Sequence, residues 1–292
     1  MTAAEVRIRS VRTPDEFAAC EAMSRDIWGA AERNVVPREL LLTMQINGGL
    51  VLGAFGPDQR MVGFVFGFAG VRDGRLRICS HQLGVMPEYR GRGIGIALKQ
   101  AQREEALRLG YELITWTFDP LEARNAYINL HRLGCIARVY DRDHYGPMED
   151  ELNKGLPSDR FEAEWWLKPT VAPGADRRPP PAPGADQTPR PKPGDGAELP
   201  ADLPVLLDVD RDGKPRRGSM DLAGERRGLI RVPVDFQAVK RRDLELALQW
   251  RLESRAAFEA ALSEGLVATD CTREGWYVMD RLGKADEPRE RP

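Results

Sequence analysis

The stretch that decides the fold runs from His81 to Gly95 and reads His-Gln-Leu-Gly-Val-Met-Pro-Glu-Tyr-Arg-Gly-Arg-Gly-Ile-Gly. The residues before Pro87 have the composition of a β-strand, and the glycines after it open a helix. A glycine-rich turn at this junction aims several backbone N–H groups at one point, at the positive end of the helix dipole. Arg90 and Arg92 add positive charge beside it. The stretch predicts an anion site suited to a pyrophosphate, although a plain strand-to-helix turn would carry the same glycines.

Strands and helices alternate on both sides of this stretch. Thr13 and Glu16 have the spacing of a capping box and place a helix start at Pro14. The elements that we predict are a strand over Val6–Val11, helices over Pro14–Trp28 and Pro37–Asn47, strands over Leu50–Phe55, Met61–Phe68 and Leu76–Val85, a helix over Gly93–Leu109, a strand over Glu112–Phe118, a helix ending at Gly134, and strands over Cys135–Tyr140 and Phe161–Leu167.

A proline-rich segment, residues 169–200, divides the chain. It contains Ala-Pro-Gly-Ala-Asp twice, at 172–176 and 182–186. Proline lacks the backbone donor and favours extended polyproline II, so we predict a semi-rigid linker here. This gives an α/β domain over residues 1–168 and a small α+β domain over residues 201–292, with a long helix near Arg241–Ser263 and a hairpin from Leu266 to Asp280.

Composition excludes several function classes. The 292 residues carry a net charge of −2, with 42% hydrophobic and 30% charged residues. The absence of a basic surplus argues against a nucleic-acid partner. Neither a signal peptide nor an apolar run of membrane-spanning length is evident, so we expect a cytoplasmic protein with no membrane partner. The four cysteines are scattered and the histidines number three, which disfavours a metal site.

The run from Leu83 to Gly95 resembles motif A of the GNAT superfamily of acyl-CoA N-acyltransferases. Its Q/R-x-x-G-x-G/A core is filled by Arg90, Gly93 and Gly95. The resemblance covers about Val6 to Leu167. It implies a GNAT fold, with a mixed, mostly antiparallel sheet that is splayed where the acyl-CoA enters between the motif strand and the strand over 112–118.

The same resemblance implies how the cofactor is held. Backbone groups at Leu83 and Val85 would pair with pantetheine, and Asn125 would contact it. The backbone N–H groups that would hold the pyrophosphate belong to Arg92, Gly93, Ile94 and Gly95.

Further segments resemble a bacterial GNAT subfamily that has an extra C-terminal segment. They are residues 116–122, 125–127 and 156–160. Some members of that subfamily are associated with N-acylation, including N-succinylation, of amino acids. The resemblance implies acetyl-CoA or another acyl-CoA such as succinyl-CoA as cofactor, and a small-molecule amine as acceptor. The oligomeric state stays open, a homodimer included.

His81 is the candidate general base. Strand alternation would place it on the same face as Leu83 and Val85. Arylalkylamine N-acetyltransferases resemble this segment as His-x-His-x-Leu-x-Val, with Cys79 at the first histidine and His81 at the second. An imidazole can accept a proton from an ammonium substrate. The alternative is a strand histidine that only bonds a neighbour.

The general acid has several candidates. The family often has a tyrosine four residues before the glycine that ends this helix, and Gly134 makes that position Leu130. Tyr127 and His131 are the nearby replacements, one helical turn apart. A packing role for Tyr127 is equally consistent, with solvent as the acid.

Three arginines are candidates for binding a carboxylate of the acceptor: Arg160, Arg251 and Arg255. The alternative for Arg160 is an ordinary ion pair at the surface. The alternative for Arg251 and Arg255 is that they lie on a solvated face of a helix. Two functions remain open at this stage: an acyl-CoA N-acyltransferase, or a module of the same fold that binds acyl-CoA without turnover.

Overall fold

The computed structural model describes residues 2–28, 35–150, 152–167, 203–219, 222 and 224–282. The predicted linker, residues 169–200, lies outside the described residues. The fold is of the α/β class. It is built on an open, mixed β-sheet in which most of the strand pairs are antiparallel.

The chain divides into two compact units. Unit one comprises residues 1–116, 148–154 and 164–167, and unit two comprises residues 117–147, 155–163 and 168–292. These limits differ from the predicted domain boundary, and the division into domains over 1–168 and 201–292 stays a prediction.

Unit one is built on antiparallel strands in chain order. The strands are β1 (Arg7–Ser10), β2 (Leu50–Phe55), β3 (Met61–Arg72) and β4 (Arg75–Val85). β5 (Leu113–Phe118) joins β4 in parallel, through the pairs Ile78–Ile114 and Cys79–Thr115. β5 and β7 (Arg160–Trp166) each have residues in both units.

Among the residues that the structure describes, three helices cover the sheet of unit one on its two faces. They are α1 (Pro14–Trp28), α2 (Arg38–Ile46) and α3 (Ile94–Arg108). Phe64 and Phe66 of β3 pack in a core with residues of α1 and α2. Val65, which lies between these two phenylalanines in β3, packs in a second core with Ile94 and Leu98 of α3. Because alternate residues of a strand point to opposite faces, α1 and α2 lie on one face and α3 on the other.

Unit two carries its own strands and helices. The strands are β6 (Ile136–Asp141), β8 (Val205–Val209), β9 (Pro215–Arg217), β10 (Arg227–Arg231), β11 (Leu266–Cys271) and β12 (Trp276–Arg281), in the order β6-β11-β12-β10-β8-β9. The helices are α4 (Ala123–Ala126), α5 (Phe236–Arg242) and α6 (Leu244–Ser263). The core is aromatic where α6 meets the sheet, with Phe258 packed edge-on against Phe161 and Tyr277.

The long helix predicted near Arg241–Ser263 is interrupted. Asp243 has an extended backbone conformation, and its carboxylate accepts a hydrogen bond from the N–H of Leu246. An aspartate in this position caps a new helix. The residue therefore separates α5 from α6 instead of continuing one helix.

Candidate acyl-CoA site

The glycine turn has the geometry that the sequence predicts. β4 ends at Val85, a short 3-10 turn follows over Pro87–Tyr89, and α3 begins at Ile94. Gly91 and Gly93 have φ of 76° and 82°, in the left-handed region that favours glycine. Gly93 is the N-cap of α3, and no acidic residue lies in the first turn of that helix. The first-turn N–H groups are therefore directed at a site where no carboxylate of that turn competes for them.

The two arginines of the turn are exposed. Arg90 donates from Nε to the carbonyl oxygen of Val85 at 3.1 Å. The guanidinium of Arg92 lies 5.8 Å from the centroid of the Tyr89 ring. Both charges thus stay on the solvent side of the turn, where they can meet a nucleotide phosphate.

The ladder between β4 and β5 ends early. Its last pair is Cys79–Thr115, whereas β4 runs on to Val85 and β5 to Phe118. On its other side β4 stays paired with β3, with Leu83 opposite Val65 and Val85 opposite Gly63. The described pairing of the two strands therefore ends at Cys79 and Thr115. The backbone roles assigned to Leu83 and Val85, and those of Arg92, Gly93, Ile94 and Gly95, stay predictions.

The predicted orientation of His81 is wrong, because a β-bulge interrupts β4. Gln82 pairs with Phe66, but the next pair is Ser80 with Gly67, so His81 has no opposite residue. A bulge of this kind resets the alternation of side chains. The His81 ring packs against Phe66 and Phe68 of β3, on the α1–α2 face.

The bulge brings Gln82 to the same face as His81. Gln82 meets Ser24 of α1, with Oε1 and Oγ 3.2 Å apart. Leu83, by contrast, packs with the core on the α3 face. Two consecutive side chains, an imidazole and an amide, therefore lie on the α1–α2 face of β4. Gln82 is a residue that sequence reasoning missed, since its placement depends on the register with β3.

His81 is suited to remain neutral. Its outer edge is exposed, but Phe66 and Phe68 flank its ring at centroid distances of 5.4 and 6.2 Å. This burial lowers the pKa of His81 below 6.5, because an apolar surrounding disfavours the charged imidazolium. The unprotonated ring at neutral pH is the form that can accept a proton.

Tyr127 and His131 lie together in unit two. A π-helical turn over Tyr127–Arg132 follows α4 directly, and it stacks the two rings with centroids 4.9 Å apart. Arg273 donates from Nε to the Tyr127 hydroxyl at 3.3 Å. The His131 Nδ1 lies 3.0 Å from Oδ1 of Asp270. Asp270 and Arg273, from β11 and the loop after it, were not among the predicted site residues.

The other predicted residues of this helix differ in exposure. Asn125 is exposed. Leu130, where the family often has a tyrosine, is fully buried. The roles of Asn125 and Tyr127 stay predictions.

The three predicted carboxylate-binding arginines lie against groups of the chain itself. Arg251 makes two hydrogen bonds to the Asp119 carboxylate, at 2.9 and 2.5 Å. Arg160 lies 3.6 Å from the same carboxylate and donates to the carbonyl of Asp159 at 2.8 Å. Arg255 makes two hydrogen bonds to the Asp159 carboxylate, at 2.8 and 2.7 Å. The solvated helix face proposed as the alternative for Arg251 is wrong, since its side chain is 2% exposed.

This network holds Asp159 as an anion. Burial works to raise its pKa, but hydrogen bonds from Arg255, from the N–H of Asp143 and from the Tyr140 hydroxyl keep the pKa of Asp159 below its usual value. The pKa of the Tyr140 hydroxyl is raised by burial and by this neighbouring carboxylate. The Tyr140 hydroxyl therefore stays protonated and donates to Asp159 at 2.7 Å.

A polar cluster inside unit one was also missed by sequence reasoning. Lys99 and Gln102 of α3 are buried, together with Ser80 of β4. The sequence carries one signal, since Lys99, Gln102 and Ala106 follow helical spacing on a face that is otherwise apolar.

A surface groove of about 330 Å³ lies elsewhere in unit one. Gly49, Glu105 and Arg108 are among its lining residues. They surround the C-terminal end of α3, about 20 Å along the helix from the glycine turn at 1.5 Å per residue. We assign this groove no part in nucleotide binding.

Two negative findings hold for the part of the chain that the structure describes. None of its helices combines the length and apolar character needed to cross a membrane. It also brings together no group of three or more His, Cys, Asp or Glu side chains that could hold a metal ion.

Comparison with known proteins identifies the segment around the glycine turn. The model of the acetyltransferase (GNAT) family matches residues 25–135, which include β4, the turn and α3. These residues belong to the GNAT family. The GNAT segment thus contains His81, the glycine turn and the whole helical stretch, residues 123–132, that carries Tyr127. A comparison with curated proteins finds no match.

Solved structures to which the chain is similar include two acetyltransferases. One is the ribosomal-protein-S18-alanine N-acetyltransferase from Escherichia coli, at 16% identity and a TM-score of 0.45, with 59% of this chain and 99% of that chain covered. Another is the phosphinothricin acetyltransferase from Sinorhizobium meliloti in complex with AcCoA, at 18% identity and a TM-score of 0.44, with 55% and 87% covered. At these values no substrate is carried over from either structure.

Proposed function

We propose that this protein transfers an acyl group from an acyl-CoA to a primary amine by direct attack. The observation that carries the proposal is the left-handed Gly93 at the start of α3, inside the segment that matches the GNAT family. The backbone N–H groups of Arg92, Gly93, Ile94 and Gly95, at and just before the start of α3, bind the pyrophosphate, and Arg90 and Arg92 supply positive charge. Pantetheine pairs with the β4 edge near Leu83 and Val85.

The reaction forms one bond and breaks one. The amine nitrogen attacks the thioester carbonyl carbon, the C–S bond breaks and CoA leaves as a thiolate; the nitrogen loses one proton as it becomes an amide, and the thiolate takes one up. Backbone N–H groups of β4 beyond the end of its ladder with β5 polarise the carbonyl, which can lower the barrier by several kcal/mol. Alignment of amine and thioester supplies much of the remainder.

His81 takes the proton of the ammonium substrate, directly or through a water molecule. The lowered pKa of His81 favours this role, because the imidazole stays neutral at the pH where most of the amine is protonated. Its position on the α1–α2 face separates it from the α3 face, where the glycine turn begins its helix. The base and the nucleotide therefore approach β4 from different sides.

Tyr127 is the proposed donor to the leaving thiolate. Arg273 donates a hydrogen bond to the hydroxyl oxygen of Tyr127, and a phenolic hydroxyl can itself act as a donor. Asn125, exposed on the same helix, is the proposed contact to pantetheine.

We propose a small, amino-acid-like acceptor, with acetyl or succinyl as the acyl group. Arg160, Arg251 and Arg255 are the candidate groups for its carboxylate. Arg251 already donates to the Asp119 carboxylate, and Arg255 to the Asp159 carboxylate. The two arginines therefore act on the acceptor either by sharing their N–H donors between these aspartates and its carboxylate, or by positioning Arg160. An enzyme that requires the carboxylate will turn over an amino acid faster than the decarboxylated amine.

The alternative is a module that binds acyl-CoA without turnover. The burial of Leu130, where the family often has a tyrosine, favours it. One experiment separates the two functions: the full chain is incubated with acetyl-CoA or succinyl-CoA and a panel of amines while free thiol is followed. Amine-dependent thiol release supports the enzyme. Calorimetric binding of acyl-CoA with no release above the rate without amine would favour the binding module.

A further inference from the structure

The side chain of Gln82 is held at one end by α1. The Ser24 hydroxyl donates to the Gln82 Oε1 at 3.2 Å. The same hydroxyl donates to the carbonyl oxygen of Cys20, one helical turn earlier, at 3.1 Å, so its proton is shared between two oxygens in a three-centre bond. Ser24 is 2% exposed, which keeps water from competing for this contact. The oxygen end of the Gln82 amide therefore faces α1.

The nitrogen end of the same amide is directed away from α1. The oxygen and the nitrogen of an amide lie on opposite sides of one carbon, so the two N–H donors of Nε2 point away from Ser24. Among the residues that the structure describes, the bond with Ser24 is the one hydrogen bond of the Gln82 side chain. Gln82 is half-buried and not enclosed, so a solute reaches these donors from the surface. An acceptor oxygen is the group that they can bind.

The donors of Gln82 lie beside the candidate base. His81 and Gln82 are consecutive, and adjacent Cα atoms are about 3.8 Å apart. In a regular strand the two side chains would point to opposite faces, but the bulge in β4 places both on the α1–α2 face. The outer edge of the His81 ring is exposed. One small molecule can therefore contact the imidazole and the amide at the same time.

We propose that the Gln82 amide binds a carboxylate or carbonyl oxygen of the acceptor, one carbon away from the reacting amine. The inference rests on the proposed acyl transfer, with His81 as the base. A carboxylate or carbonyl oxygen accepts hydrogen bonds and has no proton to donate, which matches the two N–H donors of Gln82. A single carbon between amine and carboxyl group matches contacts from two consecutive residues. The acceptor is thus an α-amine, either of a free amino acid or of an amino acid amide.

The test compares two isomeric acceptors of equal charge with the full chain and acetyl-CoA or succinyl-CoA. One carbon separates the amine of L-alanine from its carboxylate, and two carbons separate them in β-alanine. We expect kcat/KM to be about 10- to 100-fold higher for L-alanine, the range for one hydrogen bond to a charged group. Alaninamide distinguishes the two sources of the oxygen. Faster turnover of alaninamide than of L-alanine assigns the contact to an amide carbonyl, and slower turnover assigns it to a free carboxylate.

Two variants test Gln82 itself. Gln82→Met has a similar length but no donor, so the ratio of kcat/KM between L-alanine and β-alanine should fall to about one. Gln82→Glu keeps the oxygen that accepts from Ser24 and replaces the N–H donors with a second oxygen. Because this oxygen would repel the acceptor carboxylate, turnover of L-alanine should fall below that of Gln82→Met. Gln100→Met, at an exposed position of α3, should leave the ratio unchanged.

The outcomes separate this inference from the proposed function. Calorimetric affinity for acyl-CoA should equal that of the unaltered protein in all three variants, which shows that they are folded. Equal turnover of L-alanine and β-alanine, turnover of other amines alone, or a preference for L-alanine that survives both substitutions of Gln82 would overturn the inference and leave acyl transfer intact. Faster turnover of L-alanine by Gln82→Glu would also overturn it, since the amide oxygen would then face the amine. Thiol release with no amine at all in the panel would overturn the proposed function, and the inference with it.

Discussion

The imidazole of His81 meets the ring of Phe66 edge-on, with the ring centroids 5.4 Å apart. This contact exists because the bulge in β4 turns His81 to the α1–α2 face, where Phe66 packs with residues of α1 and α2. Phe66 and Phe68 cover part of the His81 side chain, which is otherwise exposed, and this partial burial lowers the pKa of His81. A change of register by one residue has thus set both the position of the candidate base and the direction in which its pKa is shifted.

His81→Ala should lower kcat by about 100-fold near neutral pH if His81 is the base. Affinity for acyl-CoA should barely change, because the cofactor is held by backbone groups. The rate of the variant should recover as pH rises, since solution then supplies more free amine. In the unaltered protein, the acid limb of the pH profile should lie below 6.5, because the pKa of His81 is lowered. Steady-state kinetics across pH measures both effects.

The matched control is His144→Ala. His144 is a histidine of unit two whose Nδ1 lies 3.0 Å from Asp141, and its removal should leave kcat unchanged. Equal kcat for His81→Ala and the unaltered protein at every pH would remove His81 from the mechanism.

The pKa of His81 also affects stability. Because the folded state disfavours the imidazolium, protonation favours the unfolded chain. The contribution of His81 to the free energy of unfolding is therefore present above pH 6.5, the ordinary value, and declines as pH falls through it. His81→Phe should weaken this dependence in urea unfolding measured between pH 5 and 8.

Local signals in the sequence were sufficient for elements whose ends are set by their own residues. The capping box predicted at Thr13 and Glu16 is confirmed by hydrogen bonds between each backbone N–H and the other side chain, at 3.3 and 3.4 Å. α1 accordingly occupies Pro14–Trp28, as predicted. The glycine turn could also be predicted from the sequence, because only glycine adopts the left-handed conformation easily.

Features that depend on residues distant in the chain could not be predicted from the sequence. The bulge at His81 arises from the register of β4 against β3: the shift falls at Gly67 of β3, and no glycine or proline adjoins His81 in β4 itself. The ion pair of Arg251 with Asp119 joins residues 132 positions apart. A guanidinium on a helix looks the same in sequence whether it faces solvent or a buried carboxylate, so the burial of Arg251 could not be derived.

Gly93→Val should abolish detectable binding of CoA in calorimetry. At φ of 82° a β-branched side chain is strained, so the turn must change its conformation and its N–H groups lose their common direction. Circular dichroism should show that the remaining fold persists.

The control for this variant is Gly110→Val, at the other end of α3. Gly110 has a φ of 89°, and a Cβ there would meet nothing within 4 Å. The strain is comparable but remote from the turn, so CoA affinity should be retained. A folded Gly93→Val protein that binds CoA with unaltered affinity would contradict the assignment of the pyrophosphate site.

Tyr127→Phe tests the proposed proton donor. Phenylalanine preserves the stack on His131 but removes the hydroxyl that accepts from Arg273. A decrease of kcat by about 100-fold, with unchanged affinity for acyl-CoA, is expected for the loss of a general acid. Tyr145→Phe, which removes a hydroxyl bonded to Thr117 at 2.8 Å, should leave kcat unchanged. Full activity of Tyr127→Phe would restrict Tyr127 to packing and leave protonation of the thiolate to solvent.

Arg251→Met distinguishes a positioning role from a substrate contact. The variant leaves the Asp119 carboxylate, 12% exposed, without its bidentate partner. Loss of one partner of a buried pair destabilises a protein by about 3–5 kcal/mol. Arg142→Met removes an exposed pair with Glu259, and exposed pairs contribute about 0–1 kcal/mol. Urea unfolding should therefore separate the two variants clearly. If Arg251→Met instead unfolds like the unaltered protein while KM for the acceptor rises, Arg251 binds the substrate, and its contact with Asp119 is incidental to stability.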